Sequence, residues 1–355
     1  MKNLEAKDST KKERWAAKRR ATNPVMISTS QEKWVELSHL QSGQTLPLVV
    51  QPKADGIDLA AWIGSNFEFI QGLLFQHGGI LFRGFPVRTK EELARVFDSM
   101  PLNLMYYMEG ATPRTELGDK IYTSTEFPSD QTIMLHNELC YVTTWPMKIW
   151  FFSVKPADKG GETPIGDVRK VFQRLDPEIK EPFMQKGWML VRNFGDGMGL
   201  PWQASYRVSD KQELEAYFRK ARIEFEWKDD NRLRTRQVRS PVAVHPKTGE
   251  MVWFNHIAFW HVSSLQPKLR EMFLKEYSEQ DLPFSTYYGD GSPIEDSVIE
   301  AIREAYREET VAFLWQAGDL LMLDNMLTAH GRFTFEGRRE VLTAMGEPFS
   351  NADIR

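Results

Sequence analysis

Residues 133–138 read Ile-Met-Leu-His-Asn-Glu and put an imidazole and a carboxylate two positions apart at the end of an apolar, extended run. In a β-strand, side chains at i and i+2 leave the same face. His136 and Glu138 would therefore project side by side from one rigid surface, as two ligands of one metal must. A third candidate ligand, His330, lies far downstream in Asp324-Asn325-Met326-Leu327-Thr328-Ala329-His330-Gly331-Arg332. Bringing the three together requires early and late strands to meet. Two imidazoles and one carboxylate on one face of a metal leave the opposite positions open, a donor set that suits non-haem Fe(II) chemistry. Taken alone, the spacing leaves two plainer readings open: a hydrogen-bonded structural histidine, or a His136–Glu138 ion pair at a sheet edge. In a chain with seven histidines, a single His-x-Glu decides nothing.

Composition narrows the classes. With 355 residues, 41% of them hydrophobic, the chain can bury a sizeable core in one large domain or two modest ones. Its formal net charge of −4 argues against nucleic acid as the partner of the folded part. No apolar run approaches the length of a membrane-spanning helix, and no secretory signal opens the chain. The single cysteine, Cys140, excludes an intrachain disulfide and fits a reducing, cytoplasmic setting. Residues 1–25 carry Lys11-Lys12-Glu13-Arg14 and Lys18-Arg19-Arg20 and read as a basic, disordered tail, leaving 26–355 as a single domain.

Along the chain, residues 58–62 and 67–76 repeat apolar side chains at helical steps, and Gly78-Gly79 stops the second helix. Thr89-Lys90-Glu91-Glu92 is a capping box for a helix over 91–99. Helical patterns return at 168–175, ended by Asp176-Pro177, at 211–222 and at 294–308. Strands are expected at 80–85, 122–126, 149–154, 310–316, 319–323 and 339–344, with a hairpin over 243–254. The span 165–240 mixes helix, loop and charge and reads as a lid-like insertion. Many short strands around a ligand pair and a distant third ligand imply a mainly β protein with surrounding helices. Its core would be a double-stranded β-helix, or jelly roll, with the metal in its mouth.

With these residues in hand, the chain resembles the taurine/2,4-D dioxygenase-like family of Fe(II)- and 2-oxoglutarate-dependent oxygenases. Within it, the chain is most similar to the syringomycin-biosynthesis-type members that carry Glu in the metal motif. The similarity spans about 45–347 and rests on Gly79-Ile80-Leu81-Phe82-Arg83-Gly84-Phe85, His136-Asn137-Glu138, Gly160-Gly161-Glu162-Thr163-Pro164, His245 to Glu250, Trp315 to Asp319, and Asp324 to Arg332 with Arg338-Arg339. The resemblance implies His136, Glu138 and His330 as iron ligands, 2-oxoglutarate as co-substrate and O2 as oxidant. Thr163 resembles the family's threonine beside the 2-oxoglutarate carboxylate, and an arginine past His330 would grip the distal carboxylate through its planar fork. Strand alternation chooses between the two neighbours. Arg339, Val341 and Thr343 share the face that looks like a pocket wall, so Arg339 is preferred and Arg338 held in reserve.

The resemblance further implies hydroxylation of an unactivated C–H of an amino acid or amino-acid-derived small molecule in specialised metabolism, free or tethered to a carrier protein. Desaturation or a cyclising or isonitrile-forming oxidation is the alternative. A binding protein that kept only the scaffold is the reading from another class. Glu138 speaks against halogenation, which needs the carboxylate position vacated. Asn255 and His256 are the candidate substrate contacts, while Asn137 should point away from the metal. His77, His245 and His261 read as structural, and Arg192 and Arg207 as parts of a solvated lid face. Neither a nucleic-acid nor a membrane partner is expected, and oligomerisation stays open.

Overall fold

In the computed structural model of the chain, residues 25–27 and 34–350 are described, apart from Asp196, Met198 and Asp230. The basic N-terminal stretch lies outside them except for Val25. Three helices near the start form for local reasons. The Asp58 carboxylate accepts from the Ala60 and Ala61 N–H groups at 2.8 and 3.2 Å and caps Leu59–Ser65. Phe67–His77 stops at Gly78, whose φ of 78° only glycine adopts without cost. Thr89 and Glu92 close the reciprocal capping box on Lys90–Asp98.

These helices cover one face of an eight-stranded sheet ordered Val25–Ile27, Val35–His39, Leu48–Pro52, Gly79–Phe82, Leu320–Asp324, Thr144–Lys155, Glu340–Ser350, Ile121–Thr123. Only the Leu48–Pro52 and Gly79–Phe82 pair is parallel. The long Thr144–Lys155 strand sits between Leu320–Asp324 and Glu340–Ser350 and is buried on both faces, which explains its near-continuous apolar sequence. Trp150 and Phe152 pack outward beneath the helices with Trp62 and Leu93, whereas Ile149 and Phe151 face inward. Opposite them lies a four-stranded antiparallel sheet ordered Thr310–Val311, Ile165–Asp167, Thr328–Arg332, Ile133–His136. Ile149, Phe151, Leu321, Leu323, Val341 and Met345 of the larger sheet meet Ile165 and Ala329 of the smaller in one apolar core. The molecule is thus sheet-rich, with helices outside.

Several expected elements change length, each for a nameable reason. The 310–316 strand shrinks to Thr310–Val311, because side chains satisfy the backbone beyond it: Arg83 donates to the Leu314 carbonyl at 2.8 Å and Asp319 accepts from the Gln316 N–H at 2.7 Å. Asp176-Pro177 ends one helix and also starts another, Pro177–Lys186, with proline in its first turn. Within 165–240 the strands Trp188–Phe194, Glu224–Trp227 and Leu233–Arg239 join Phe284–Tyr288 in a third sheet around Phe194, Trp202, Phe218 and Leu233. Leu-Arg-Thr-Arg-Gln-Val-Arg at 233–239, in the span that read as mixed helix, loop and charge, is a strand that buries Leu233, Thr235 and Gln237 and turns Arg234, Arg236 and Val238 to the other face. No helix among the described residues is long and apolar enough to cross a membrane.

Candidate active site

The strand carrying His136 ends at that residue, so Glu138 does not share a strand face with it. Glu138 is presented instead by a turn, in which Leu139 adopts the left-handed region at φ 54°. That turn is clamped by Asn325. Its side-chain carbonyl accepts from the Glu138 N–H at 2.7 Å, and its amide donates to the Glu138 and Pro146 carbonyls at 2.9 and 2.8 Å. Asn137 points away from Glu138's side and donates to the Asn325 carbonyl at 2.7 Å. His330 sits directly across the sheet from His136. The outcome is one cluster: ligand atoms of His136, Glu138 and His330 all lie within 4.8 Å of one another.

The donors are in the state a metal requires. Burial, reinforced by the neighbouring His330 ring, pushes the His136 imidazole down to about 3. Burial likewise lowers His330 despite its approach to Glu138. Burial alone would raise the Glu138 carboxyl, but the Arg114 guanidinium, with His330 and His136, outweighs it and holds the group well below the usual carboxylate range. His136 Nδ1 donates to the Met134 carbonyl at 2.9 Å, which turns its unprotonated Nε2 toward the cluster. His330 is oriented by packing, with the His136 and Phe151 rings at 4.5 and 4.9 Å and its Nδ1 without a partner among the described residues. Two neutral imidazoles and one ionised carboxylate, converging beside a cavity, fit a ferrous ion with open positions.

Thr163 and Arg339 come together a short way along the same core. Arg339 Nε donates to the Gly161 carbonyl at 2.9 Å, Nη1 to Ser124 Oγ at 3.2 Å, and Nη2 to Thr163 Oγ1 at 3.4 Å. Trp315 Nε1 also donates to Thr163 Oγ1, at 3.2 Å, so the threonine proton is free for an incoming acceptor. Burial, helped by nearby Arg332, lowers the Arg339 guanidinium to about 10. It remains charged at neutral pH and is in no ion pair with a carboxylate among the described residues. Arg338, by contrast, is exposed and pairs with Glu340 at 2.8 Å. Gly160 and Gly161 have φ of 70° and 73°, and a Cβ on Gly160 would stand 2.3 Å from the Thr334 carbonyl oxygen. The double glycine therefore lets this turn pass close to the strand leading to Arg339.

A cavity of about 380 Å3 opens on His136 and Glu138, walled by Tyr107, Phe127, Phe259, Trp260 and Phe284. His256 lines it, and its Nδ1 lies 2.6 Å from Cys140 Sγ. Burial, with the Glu138 charge, keeps that thiol protonated, and burial keeps the His256 ring neutral, so the pair shares one hydrogen bond between uncharged groups. Asn255 is placed differently: its amide donates to the Pro241 carbonyl and its oxygen caps the Ile257 N–H, and it borders a smaller neighbouring cavity. His245 bonds Asp324 at 3.1 Å and His77 the Thr45 carbonyl at 2.8 Å, while His261, held by Ser263 and the Ile294 carbonyl, also touches the cavity wall. Arg192 corrects the solvated-lid expectation. It is 3% exposed, bonded to Ser205 and the Gly110 carbonyl and stacked among Phe194, Phe284 and Tyr141. Arg207 does face solvent, beside Glu116.

Sequence reasoning missed Arg114. Its Nη2 donates to Glu138 Oε2 at 2.7 Å, making a buried ion pair with the carboxylate of the cluster. It lies in a proline-containing loop without periodicity, in which nothing marks one arginine among 45 basic residues.

A model of the family described as "Taurine catabolism dioxygenase TauD, TfdA family" matches residues 43–345. The chain is similar to the dapdiamide synthesis protein DdaC of Enterobacter agglomerans, 37% identical over 279 residues that cover 79% of this chain and 85% of DdaC. It is 27% identical to a clavaminate synthase-like protein of Arabidopsis thaliana, over 86% of this chain and 95% of that one. Its fold is similar to the crystal structure of PvcB from Pseudomonas aeruginosa, with TM-score 0.55 and 18% identity over 92% of this chain and 96% of PvcB. A buried His-Glu-His cluster inside such a match allows one conclusion: the chain belongs to the TauD, TfdA family and is a 2-oxoglutarate-dependent non-haem iron dioxygenase.

Proposed function

We propose that His136, Glu138 and His330 hold Fe(II), that Thr163 and Arg339 receive the distal carboxylate of 2-oxoglutarate, and that the enzyme hydroxylates an unactivated C–H of an amino-acid-derived small molecule in specialised metabolism. The observation that carries the reading is the convergence of three ligand atoms within 4.8 Å at the wall of a cavity lined largely by aromatic side chains. Similarity to DdaC, named for dapdiamide synthesis, supports the biosynthetic setting. When bound, ferrous iron with 2-oxoglutarate and O2 supplies oxidative C–H cleavage coupled to formation of succinate and CO2. The residues do the rest. Arg114 and Met134 orient two of the ligands, the aromatic wall excludes water, and His256 offers a neutral imidazole edge to whatever fills the cavity.

On this reading the facing large and small sheets form the double-stranded β-helix, residues 26–355 are one domain, and the three strands of the third sheet within 165–240 form the lid-like insertion, joined there to Phe284–Tyr288, whose Phe284 lines the cavity. The test starts without oxygen. Fe(II) followed by 2-oxoglutarate should produce the weak visible charge-transfer band of the chelate. Glu138→Ala and His330→Ala should each abolish both the band and substrate-dependent succinate. Retention of both signals in both variants removes the proposed iron site. Product mass then separates a gain of one oxygen from the loss of two hydrogens that a desaturase would show.

A further inference from the structure

Arg114 is bonded to Glu138 yet far from satisfied. A guanidinium carries five N–H donors. Those on Nη2 reach Glu138 Oε2 at 2.7 Å and Thr125 Oγ1 at 3.3 Å, while Nε and Nη1 are buried and have no acceptor among the described residues. Its side chain is 3% exposed, stacks on the Tyr107 ring at 4.4 Å and belongs to the wall of the cavity that opens on His136 and Glu138. Buried donors left without acceptors are costly to keep, and a cavity beside them is where acceptors can arrive.

The charges point the same way. Arg114 and Arg339 outnumber Glu138 at the centre, and buried Arg332 and Glu162 offset each other beside Arg339. Ferrous iron and doubly anionic 2-oxoglutarate cancel between themselves, so the occupied site keeps one positive charge in excess. The cavity has no acid for an ammonium group: Glu138 is the one acidic residue among its described lining residues, and it is already held by Arg114. The rest of the wall is aromatic and aliphatic, including Phe127, Phe259, Trp260 and Phe284.

We infer that Arg114 is the receptor for a carboxylate of the substrate, and that the substrate is an organic acid with an apolar body and no free amine, such as an N-acylated amino acid. The inference rests on the iron-site reading above and specifies what enters beside it. Arg114 then serves two partners: it fixes the Glu138 carboxylate from behind and takes the substrate acid in front. A second acid beside Glu138 would otherwise be repelled, so occupancy of the cavity depends on this one cation.

Binding, read without turnover, tests it. The anaerobic Fe(II)·2-oxoglutarate protein is titrated by calorimetry with N-acetyl-L-phenylalanine, its neutral amide and zwitterionic L-phenylalanine. The acid should bind at least about tenfold more tightly than the amide or the amino acid, as a charge-assisted contact allows. Arg114→Leu should remove that preference, and Arg114→Lys should restore part of it. Equal binding of acid and amide, binding of none of the three, or a preference that survives in Arg114→Leu overturns the proposal. Should Arg114→Leu fail to hold iron, the wild-type contrast and the Lys variant decide alone. Absence of the charge-transfer band in the parent protein is seen before any acid is added, and it sinks the iron reading and this proposal together.

Discussion

Arg338 and Arg339 are adjacent residues of identical chemistry with opposite fates. Arg339 is half-buried against Gly161, Ser124 and Thr163, whereas Arg338 spends its charge in solvent on Glu340. A surface pair contributes little, while a buried guanidinium that grips a carboxylate through charge-assisted hydrogen bonds is worth about 1.5–3 kcal/mol. Arg339→Ala is therefore expected to weaken 2-oxoglutarate binding by about 10- to 150-fold, and Arg338→Ala by less than about twofold. Titrating the anaerobic charge-transfer band in both variants checks this; equal effects would mean that the fork lies elsewhere. Strand alternation preferred Arg339, but Arg339 precedes the strand and the register shifts between Glu340 and Val341, so the two-residue period used to choose it does not run through it. Arg114 was not legible, because its role depends on a carboxylate 24 positions away that no local period connects to it.

At the level of the element, the His-x-Glu segment is a strand end followed by a clamped turn. Asn325 holds that turn through both its backbone and its amide, and it is itself fully buried. Asn325→Ala would leave the Glu138 N–H and two carbonyls without partners, at roughly 1–3 kcal/mol each for groups kept from water. We expect a clear drop in the urea midpoint and a metal affinity lower by about 10- to 100-fold, the range typical for residues that orient ligands. Cobalt(II) titration followed by absorbance reads the second effect. Unchanged cobalt affinity would show that Glu138 finds its position without the clamp. Arg83 and Asp319 illustrate the same economy elsewhere: two motif stretches that looked unrelated meet as a two-bonded pair, with Nε–Oδ1 at 3.0 Å and Nη2–Oδ2 at 2.6 Å.

For the whole molecule, the buried histidines set an acid limit on stability. Burial, only partly opposed by Asp296, lowers His261 from 6.5 to about 4. His39 and His77 are lowered too, chiefly by burial; the His77 ring adds to the shift of His39, and for His77 the Thr45 carbonyl opposes it and Arg169 adds to it. The unfolded chain takes up protons near 6.5 that the folded chain refuses until lower pH, so these groups favour folding fully above that value. Stability of the metal-free protein should accordingly fall as pH drops from about 6.5 toward about 4. Urea midpoints at neutral and mildly acidic pH test the sign; a midpoint that holds or rises on acidification would contradict it.

What the amino-acid sequence determined by itself was whatever repeats at short range. The capped helices, the doubly buried Thr144–Lys155 strand, the double-glycine turn and the types of residue needed for a two-imidazole, one-carboxylate site all follow from caps, periods and donor chemistry. Tertiary structure alone decided which distant groups meet. Pairing of two strands within the smaller sheet set His330 opposite His136, and the turn held by Asn325 brought Glu138 to them. A loop without pattern delivered Arg114, and an arginine-rich strand turned out to belong to a third sheet. The physical reason is range: backbone propensities and side-chain periods act over a few residues, whereas burial and ion pairing select partners only after the chain has closed on itself.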